Sequence, residues 1–561
     1  MKIKNINQTS LRGADTIATK QSHIKNKILI LTILLLATFL RFFQLGSLPP
    51  SLTWDEVAWG YNAYSLGLDG KDEFGKFLPY DYLESFGDFK PPVYAYLDIL
   101  PIKIFGLTEF AVRFPSALFG VLTVFLTYLL VRRIFYKSKN KELYAILSAG
   151  LLAISPWHIL LSRAAFEANV ATFFLIFGVY AFLHGIQDKS KFLILSAISF
   201  ALSFYTFNTS RIVAPLLVLM LVIIFRKKLL VLKKISTAAL LTGLLIIIPL
   251  TSFLFSPQAK LRYQEVNIFS NIDLIKTSNQ EIANDNNAWW SKIIHNRRVI
   301  YAREYMKHYF DNLSLDFLFI KGDGNPKFST QDIGQMYLWE LPFLIIGSFL
   351  LFRLREGNWL IVPIWLLLAI IPAATARETP HALRIETTLP TFQIIVAYGI
   401  INIYFLLREY RKTFTISLAL FAALFFIYFL HVYFVLYPEE FSVNWQYGYK
   451  ESITYAKSVE NQYDSIYVED SLGRPYIYYL FYQKIPPSEF RQSSIIKRDT
   501  FGFVSVEGFS KYKFPKYIHI DPNDKKTLYI LYKGDNSLAN KKPIKTFYLL
   551  DGSSILNAYA F

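Results

Sequence analysis

The sequence has 561 residues, of which 53% are hydrophobic and only 18% charged, whereas about 25% are charged in a typical soluble protein. This composition excludes a disordered chain, a coiled coil and an ordinary cytosolic enzyme. Because cysteine is absent, disulfides, thiol chemistry and Cys-based zinc sites are excluded as well. The net charge of +17 suits either nucleic-acid binding or the cytoplasmic side of a membrane protein, and its position along the chain decides between the two.

Long apolar runs follow a polar N-terminal tail at 1–27, which is predicted to be cytoplasmic. The first run has no small-residue cleavage site, so it is predicted to be a retained anchor and not a removed signal peptide. Because a membrane span needs roughly 20 apolar residues, we predict a mainly α, polytopic membrane helical bundle of about 11 spans, with a range of about 9 to 13. The runs lie near residues 28–43, 114–131, 142–160, 169–186, 191–206, 211–225, 235–255, 337–352, 358–374, 388–407 and 413–436.

The Lys/Arg content of the short loops sets the predicted orientation. With the N-terminus in the cytoplasm, the inside segments hold 23 Lys/Arg residues and the short outside loops hold four. Those four are Arg163, Arg211, Arg377 and Arg384. Most of the positive charge in these loops is therefore explained by membrane orientation, because it lies in the loops predicted to be cytoplasmic. This removes the main support for nucleic-acid binding. Each outside arginine could serve a site or only anchor a lipid phosphate headgroup.

The predicted transmembrane domain covers 28–437 and includes two long outside loops, at 44–113 and 256–336. Within the first loop, the run Pro91–Phe105 is short, begins with two prolines and contains charged residues. A full span there would invert the charge bias of every later loop. We therefore predict an interfacial helix on the outer leaflet.

Residues 438–561 are predicted to form a small extracytoplasmic α/β domain. The segment Lys450–Glu460 has a helical pattern, whereas Ser465–Val468 and Thr527–Leu531 are typical of strands. The chain has no heptads, low-complexity tract or clear internal repeat.

The first outside loop contains the best candidates for chemistry. Thr53 can cap a helix whose first turn carries Asp55 and Glu56, where carboxylates suit the helix dipole. Such a pair is usually a solvated first turn, but its position beside a span and between aromatic residues makes a functional acid plausible. Lys90, held before Pro91-Pro92 at the membrane surface, suits a lipid phosphate, and the alternative is a snorkelling lysine.

Further charged residues lie in the short outside loops. Arg163 and Glu167 flank one loop, and His381 and Arg384 lie in another. His158 and His381 match no metal-ligand spacing, and no Gly-rich loop offers a site for a soluble nucleotide donor. With 17% aromatic residues, which stack on sugars, the layout suits a reaction at the outer leaflet between a lipid phosphate and a polar acceptor.

A set of short motifs recurs at the ends of the predicted spans and in the outside loops. The motifs are Trp54-Asp55-Glu56, Tyr61, Lys90-Pro91-Pro92, Tyr94, Arg113–Leu118, Arg132–Phe135, Gly322–Pro326, Gly334–Pro342 and Pro380–Arg384. Together they resemble the multispan glycosyltransferases of the GT-C superfamily. The likeness is to the family 39-like branch of protein O-mannosyltransferases and aminoarabinose lipid A transferases, and it is strongest over 30–260. Trp289-Trp290 is followed by Ser291, which departs from the Trp-Trp-Asp motif of oligosaccharyltransferases.

The resemblance implies an inverting transfer of a sugar from a polyprenyl-phosphate donor. The sugar would be a mannose-like hexose or a modified pentose, and the envelope acceptor a protein, a lipid or a glycan. By the same resemblance Asp55, with Glu56 beside it, is the catalytic acid pair. Residues that would bind the substrate or its lipid phosphate are Lys90, Arg163, Glu167, Arg211, Arg262, Tyr337, His381 and Arg384.

No metal or other cofactor is required by this chemistry, and the sequence gives no indication of a divalent cation. The expected partners are the lipid-linked donor, the acceptor and membrane lipids, but no nucleic acid. The expected location is the cell membrane, with a cytoplasmic N-terminus.

Two alternatives stay open at this stage. A polymerase or ligase joining lipid-linked glycans could use the same outside arginines. A non-catalytic envelope protein would use Asp55 only as a helix cap. A transporter is disfavoured because most charges lie at the ends of the spans and not near the bilayer midplane.

Overall fold

Helices form most of the chain, and one mixed sheet lies near the C-terminus. The computed structural model describes residues 24–257, 259–260, 266–499, 504–521, 523–534, 538 and 541–561. The helices cover 24–42, Trp54–Asp69, Val93–Phe105, Glu109–Ile134, Lys141–Ile154, Pro156–Arg163, Glu167–Gln187, Phe192–Phe204, Ser210–Val231, Lys233–Leu254, Ile272–Asn284, Ser291–Ile294, Arg297–Asp311, Leu341–Leu354, Ile361–Ala374, Thr391–Leu406, Arg411–His431, Tyr437–Phe441, Tyr449–Val459, Pro475–Tyr482 and Pro487–Ser493.

Every apolar run predicted as a span is helical over most of its length. Among the described residues, four helical stretches are long and apolar enough to cross a membrane alone: Glu109–Ile134, Glu167–Gln187, Lys233–Leu254 and Arg408–Trp445. The pair Lys141–Ile154 and Pro156–Arg163 forms a fifth candidate, bent by 57°. Several apolar candidate spans are thus confirmed, while the number of about 11 crossings stays a prediction.

The loops gather at two ends of the bundle. At one end Arg133 forms an ion pair with Asp188, the Gln187 amide donates to the Arg133 carbonyl oxygen at 3.1 Å, and the Asn358 N–H donates to the Ile134 carbonyl oxygen at 2.8 Å. These contacts join loops that the charge bias predicts to be cytoplasmic. The opposite end carries the loops predicted to be outside, together with the C-terminal sheet. We call it the cavity end.

Glycines let two helices of the bundle approach closely. A Cβ atom on Gly347 would lie 2.1 Å from the Ile395 carbonyl oxygen, and one on Gly399 would lie 2.4 Å from the Phe343 carbonyl oxygen. Only glycine fits at this crossing of Leu341–Leu354 and Thr391–Leu406, as at other close helix crossings in membranes.

The first outside loop folds as its sequence predicts at the start of its first helix. The Thr53 side chain accepts from the Glu56 N–H, and the Glu56 side chain accepts from the Thr53 N–H, which together form a capping box for helix Trp54–Asp69. The predicted interfacial run is helix Val93–Phe105, whose 13 residues are too few for a span. Its placement on the outer leaflet stays a prediction.

A short hairpin brings Lys90 to the cavity end. Strands Leu83–Ser85 and Asp88–Lys90 pair antiparallel, with Leu83 opposite Lys90. The two turn residues, Phe86 and Gly87, have φ angles of 62° and 77°. Positive φ at both central residues is typical of the tight hairpin turn that matches the twist of its strands.

The C-terminal residues form the mixed sheet with helices packed on it. The predicted helix and both predicted strands are confirmed as Tyr449–Val459, Ser465–Val468 and Thr527–Tyr532, and the two strands pair in parallel. The sheet order is Ile495–Arg498, Val504–Phe509, Tyr512–Lys513, Ser465–Val468, Thr527–Tyr532, Ser554–Tyr559 and Lys545–Tyr548.

The sheet region and the first outside loop share one hydrophobic core. Tyr61 of the loop donates a hydrogen bond to the Ile485 carbonyl oxygen, and Tyr478 donates one to the Leu52 carbonyl oxygen. A Cβ atom on Gly60 would lie 2.7 Å from Phe481. Helix Trp54–Asp69, which carries Asp55, is therefore held firmly against the sheet region.

Candidate active site

A cavity of about 700 Å³ opens at the cavity end of the bundle. Its wall is built from the first outside loop, the starts of helices Glu167–Gln187 and Ser210–Val231, and the loop that follows Ile361–Ala374. Six side chains predicted from the sequence as site residues line it: Asp55, Lys90, Glu167, Arg211, His381 and Arg384.

Asp55 and Lys90 form an ion pair within this cavity. The Asp55 side chain is half exposed, whereas that of Lys90 is buried, with its Nζ atom 5.2 Å from the Trp59 ring centre and 5.1 Å from that of Phe86. The aromatic rings shield the ammonium group from water while leaving the carboxylate open to the cavity. A short helix cap and a hairpin thus bring together two residues that lie 35 positions apart.

Lys327 is a second cation beside Asp55. Its Nζ atom lies 4.4 Å from the Trp54 ring centre, and the side chain lines the cavity. Burial lowers the pKa of Lys327, and the negative charge of Asp55 opposes that shift. Sequence reasoning missed Lys327, although it directly follows the turn-rich stretch Gly322–Pro326.

Glu167 and Arg211 lie on the cavity wall at the first turns of two neighbouring helices. The charges that act on Glu167 include those of Lys90 and Asp55. Arg211 donates from Nε to the Phe204 carbonyl oxygen at 3.1 Å, and its guanidinium group lies 5.4 Å from the Phe253 ring centre. Its buried Nη2 atom has no hydrogen-bond partner among the described residues. A buried donor of this kind suits an anionic ligand.

His381 lies in the cavity wall as a neutral side chain. Burial, followed by the positive charge of Arg384, lowers the pKa of His381 to about 3. Its ring centre lies 4.9 Å from that of Phe328, and its backbone N–H donates to the Asn312 side-chain oxygen at 3.0 Å. His381 can therefore offer a neutral hydrogen-bonding group but no positive charge for a phosphate.

Asp323 holds the loop that carries His381 and Arg384. Its carboxylate accepts from the Ala382 N–H at 2.7 Å and from the Asn325 N–H at 2.8 Å. Burial raises the pKa of Asp323 to about 6, against the effect of these two hydrogen bonds. The turn noted in the sequence thus serves to position one wall of the cavity.

Glu56 does not line the cavity, in contrast to the expectation that it acts beside Asp55. It is fully buried and ion-paired with Arg113 at 2.9 Å, and it accepts the Ala165 N–H at 3.0 Å and the Thr53 N–H at 2.9 Å. A carboxylate that is bound to three partners inside the protein has no face left for a substrate. Glu56 fixes the start of the helix on which Asp55 lies.

Arg163 and Tyr337 also lie outside the cavity lining. Arg163 donates to the carbonyl oxygens of Leu40, Phe43 and Leu48, at 2.7, 2.8 and 3.0 Å, and so caps the end of helix 24–42. Tyr337 is buried and donates to the Ile154 carbonyl oxygen at 2.8 Å. Both side chains are held by the fold. Arg262 lies outside the described residues.

A second cleft of about 960 Å³ adjoins the first. It runs between the 323–327 turn, the 377–381 loop and the sheet region, where Ser471, Leu472 and Tyr532 form its far wall. The two spaces share the side chains of Trp54, Asn325, Lys327 and His381. A molecule in the second cleft would therefore approach Asp55 from the side opposite the bundle.

The described residues form a helical bundle with several candidate membrane spans and, at one end, a cavity lined by acidic and basic side chains. Residues 89–253 match the sequence profile described as dolichyl-phosphate-mannose-protein mannosyltransferase. This stretch makes up less than a third of the chain, includes Lys90, Glu167 and Arg211, and is similar to that family. The match agrees with the resemblance that the motifs indicated.

One curated relative is an uncharacterized protein of Aquifex aeolicus (strain VF5), which is 34% identical over 165 residues. The match covers 28% of this chain and 32% of the relative, so it spans about a third of that protein's length.

Two solved structures have a similar fold over nearly the whole chain. ArnT from Cupriavidus metallidurans in the apo state has a TM-score of 0.50 at 11% identity and covers 96% of this chain and 98% of its own. The same protein bound to undecaprenyl phosphate has a TM-score of 0.51 at 12% identity and covers 94% and 97%. At these identities the likeness concerns the fold.

Proposed function

We propose that the protein is an inverting glycosyltransferase that moves a sugar from a polyprenyl-phosphate donor to a hydroxyl group of an acceptor. The observation that carries the proposal is the cavity itself, which is lined by the half-exposed carboxylate of Asp55, by its partner Lys90 and by the cations Lys327 and Arg211. The similarity to the family over 89–253 and the ArnT structure with undecaprenyl phosphate support a prenyl-linked donor.

Asp55 would act as the general base. An acceptor hydroxyl group loses its proton to the Asp55 carboxylate while its oxygen forms a bond to the anomeric carbon. The bond from that carbon to the phosphate oxygen breaks, and its electron pair leaves with the lipid phosphate. Attack from the face opposite the leaving group inverts the configuration. Positioned base catalysis of this kind contributes about 10²–10⁴-fold.

The cationic side chains would stabilise the departing phosphate. Arg211 offers a buried, unpartnered N–H group, and Lys90 and Arg384 line the same cavity. Charged donors that are fixed before the reaction stabilise the negative charge that develops on the leaving oxygen. Because the phosphate already leaves readily and is met by these cations, the reaction as proposed requires no metal ion.

The second cleft would hold the acceptor. Its polar and aromatic lining, including Trp54 and Lys327, suits a sugar or a peptide more than a lipid chain. Protein, lipid and glycan acceptors all stay open, as do a mannose-like hexose and a modified pentose as the sugar. The Lys/Arg bias of the loops supports a cavity end that faces outward, with the N-terminus in the cytoplasm.

The test is a transfer assay with the purified full chain in proteoliposomes and a radiolabelled polyprenyl-phosphate sugar. Asp55→Asn should lower kcat by about 10²–10⁴-fold while donor binding is retained. The control is Asp69→Asn at the far end of the same helix, where the side chain pairs with Arg491, and it should keep activity. Near-full activity of Asp55→Asn would show that Asp55 is not the base.

The same assay also tests the metal requirement and the length of the product. Addition of EDTA should leave transfer unchanged, and a loss that Mg²⁺ restores would contradict the metal-free reaction. Products that grow by repeated units, in place of a single added sugar, would favour a polymerase or ligase.

A further inference from the structure

The second long loop carries an exposed apolar surface beside the bundle. Trp289 is 77% exposed and Ile293 is 62% exposed, and Trp290 and Ile294 are exposed next to them. We call these four side chains the Trp–Ile patch. Four large apolar residues together at the surface are unusual for a protein face that meets only water.

Helix Arg297–Asp311, which follows the patch, packs against the apolar bundle helix Ile361–Ala374. The hydroxyl group of Tyr309, in helix Arg297–Asp311, donates to the Leu367 carbonyl oxygen at 2.8 Å. Leu367 lies seven residues before the end of Ile361–Ala374, which is about 10 Å at 1.5 Å per residue. Met306 and Phe310 are exposed on the same helix. This part of the loop therefore lies against the side of the bundle. A polar outside loop would instead extend away from the bundle into water.

Basic residues surround the Trp–Ile patch. Residues 288–311 contain five Lys/Arg against two Asp/Glu, and Lys292, Arg297 and Arg298 are exposed next to the apolar side chains. Amphipathic segments with tryptophan on one face and Lys/Arg on the other bind in the plane of an anionic membrane surface. Tryptophan is also enriched where membrane proteins cross the headgroup region.

We propose that residues 288–311 dock on the membrane leaflet at the cavity end. The Trp–Ile patch inserts into the headgroup region, and Lys292, Arg297 and Arg298 bind the phosphates of anionic lipids. This inference does not depend on the reaction proposed above.

Docking would hold one wall of the cavity in place. The start of the loop is joined to the cavity wall by two hydrogen bonds, from the Ile268 N–H to the Thr375 carbonyl oxygen at 2.9 Å and from the Arg377 N–H to the Val266 carbonyl oxygen at 3.0 Å. His308, on the helix after the patch, contacts the Ala376 carbonyl oxygen at 2.9 Å. Thr375 and Ala376 line the cavity.

The absence of cysteine allows a direct test with single spin labels on the full chain. Ile293→Cys is labelled in nanodiscs that contain phosphatidylglycerol, and its collisions with oxygen and with a water-soluble nickel chelate are compared. Ile248→Cys, an exposed position on the apolar helix Lys233–Leu254, is the lipid-facing control. Tyr517→Cys, exposed in the sheet region, is the water-facing control.

The proposal expects the label at 293 to collide more often with oxygen than with the chelate, as at 248. Dominant collisions with the chelate, as expected at 517, would overturn it. Shielding from both reagents would also overturn it, because that result means a protein contact.

Two further experiments test whether the docking requires anionic lipids. Exchange of phosphatidylglycerol for a zwitterionic lipid, or the combined change K292Q, R297Q and R298Q, should shift the label at 293 toward the chelate. An unchanged ratio in both experiments would overturn the anionic-lipid part of the proposal.

Discussion

At the scale of single residues, two neighbouring carboxylates on one helix turn have opposite surroundings. Asp55 is half exposed and meets Lys90 at the cavity, whereas Glu56 is buried and bound to Arg113. The difference follows from helix geometry, because adjacent residues point about 100° apart and so face different elements. One side chain is left for chemistry, and the other holds the helix start in position.

Loss of the Glu56 charge should therefore affect stability more than the reaction. Glu56→Gln leaves Arg113 buried without its partner, and breaking a buried ion pair in this way costs about 3–5 kcal/mol. Thermal unfolding of the purified chain should show a clearly lower Tm, while the folded fraction keeps most of its transfer activity.

The matched control for that experiment is Asp464→Asn. Asp464 pairs with Lys526 at 3.3 Å, both side chains are mostly exposed, and such surface pairs contribute about 0–1 kcal/mol. An unchanged Tm for Glu56→Gln, or a Tm loss equal to that of the control, would contradict the structural role of Glu56.

At the scale of elements, the loop after helix Trp54–Asp69 contains a buried acid. Glu73 is fully buried and donates its N–H to the Asn62 side-chain oxygen at 2.9 Å, while its own carboxylate oxygens have no hydrogen-bond partner among the described residues. Burial raises the pKa of Glu73 to about 8, the charge of Asp72 adds to the rise, and that of Lys90 opposes it.

This shift predicts a dependence of stability on pH. Because the pKa of Glu73 is higher in the folded state than its ordinary value of 4.5, the stability from protonated Glu73 is present below about pH 4.5 and is lost as the pH rises through about 8. Glu73→Gln stays neutral, so its Tm should exceed that of the wild type at pH 9 by an amount that shrinks as the pH falls and vanishes below about pH 4.5. The exposed Glu451→Gln is the control, and parallel Tm curves for Glu73→Gln and the wild type would contradict the prediction.

The sequence predicted the helices and the first loop well because their signals are local. Apolar runs mark the bundle helices, and Thr53 and Glu56 mark the helix start by spacing alone. The helices of the second long loop were missed because their apolar residues are interrupted by polar ones and contact the distant helix Ile361–Ala374. Lys327 was missed for a similar reason, since only the tertiary fold brings it beside Asp55, 272 positions away.

The same limit explains the side chains that proved not to line the cavity. Arg163 and Glu56 are charged residues near span ends, as a lipid-phosphate or catalytic group would be. Their partners, the Leu40 carbonyl oxygen and Arg113, lie 123 and 57 positions away, so no local pattern reveals them. Only the three-dimensional structure shows that these charged side chains are buried and bound to residues far away in the sequence.

At the scale of the whole molecule, the bundle and the sheet region share one hydrophobic core, and the second cleft, which adjoins the cavity, lies beside the sheet region. The bundle side offers Arg211 and the lipid-facing helices, and the far side offers the polar cleft with Ser471 and Tyr532. A lipid-linked donor and a polar acceptor can thus reach Asp55 from opposite directions without crossing each other.

The most direct measurement is an electron cryomicroscopy structure of the full chain in nanodiscs with a polyprenyl phosphate bound. We expect phosphate density at hydrogen-bond distance from Arg211 or Lys90, with the lipid chain running along the bundle and Asp55 open to the second cleft. Phosphate density at the opposite end of the bundle, beside Arg132 and Arg133, would contradict the proposed donor site.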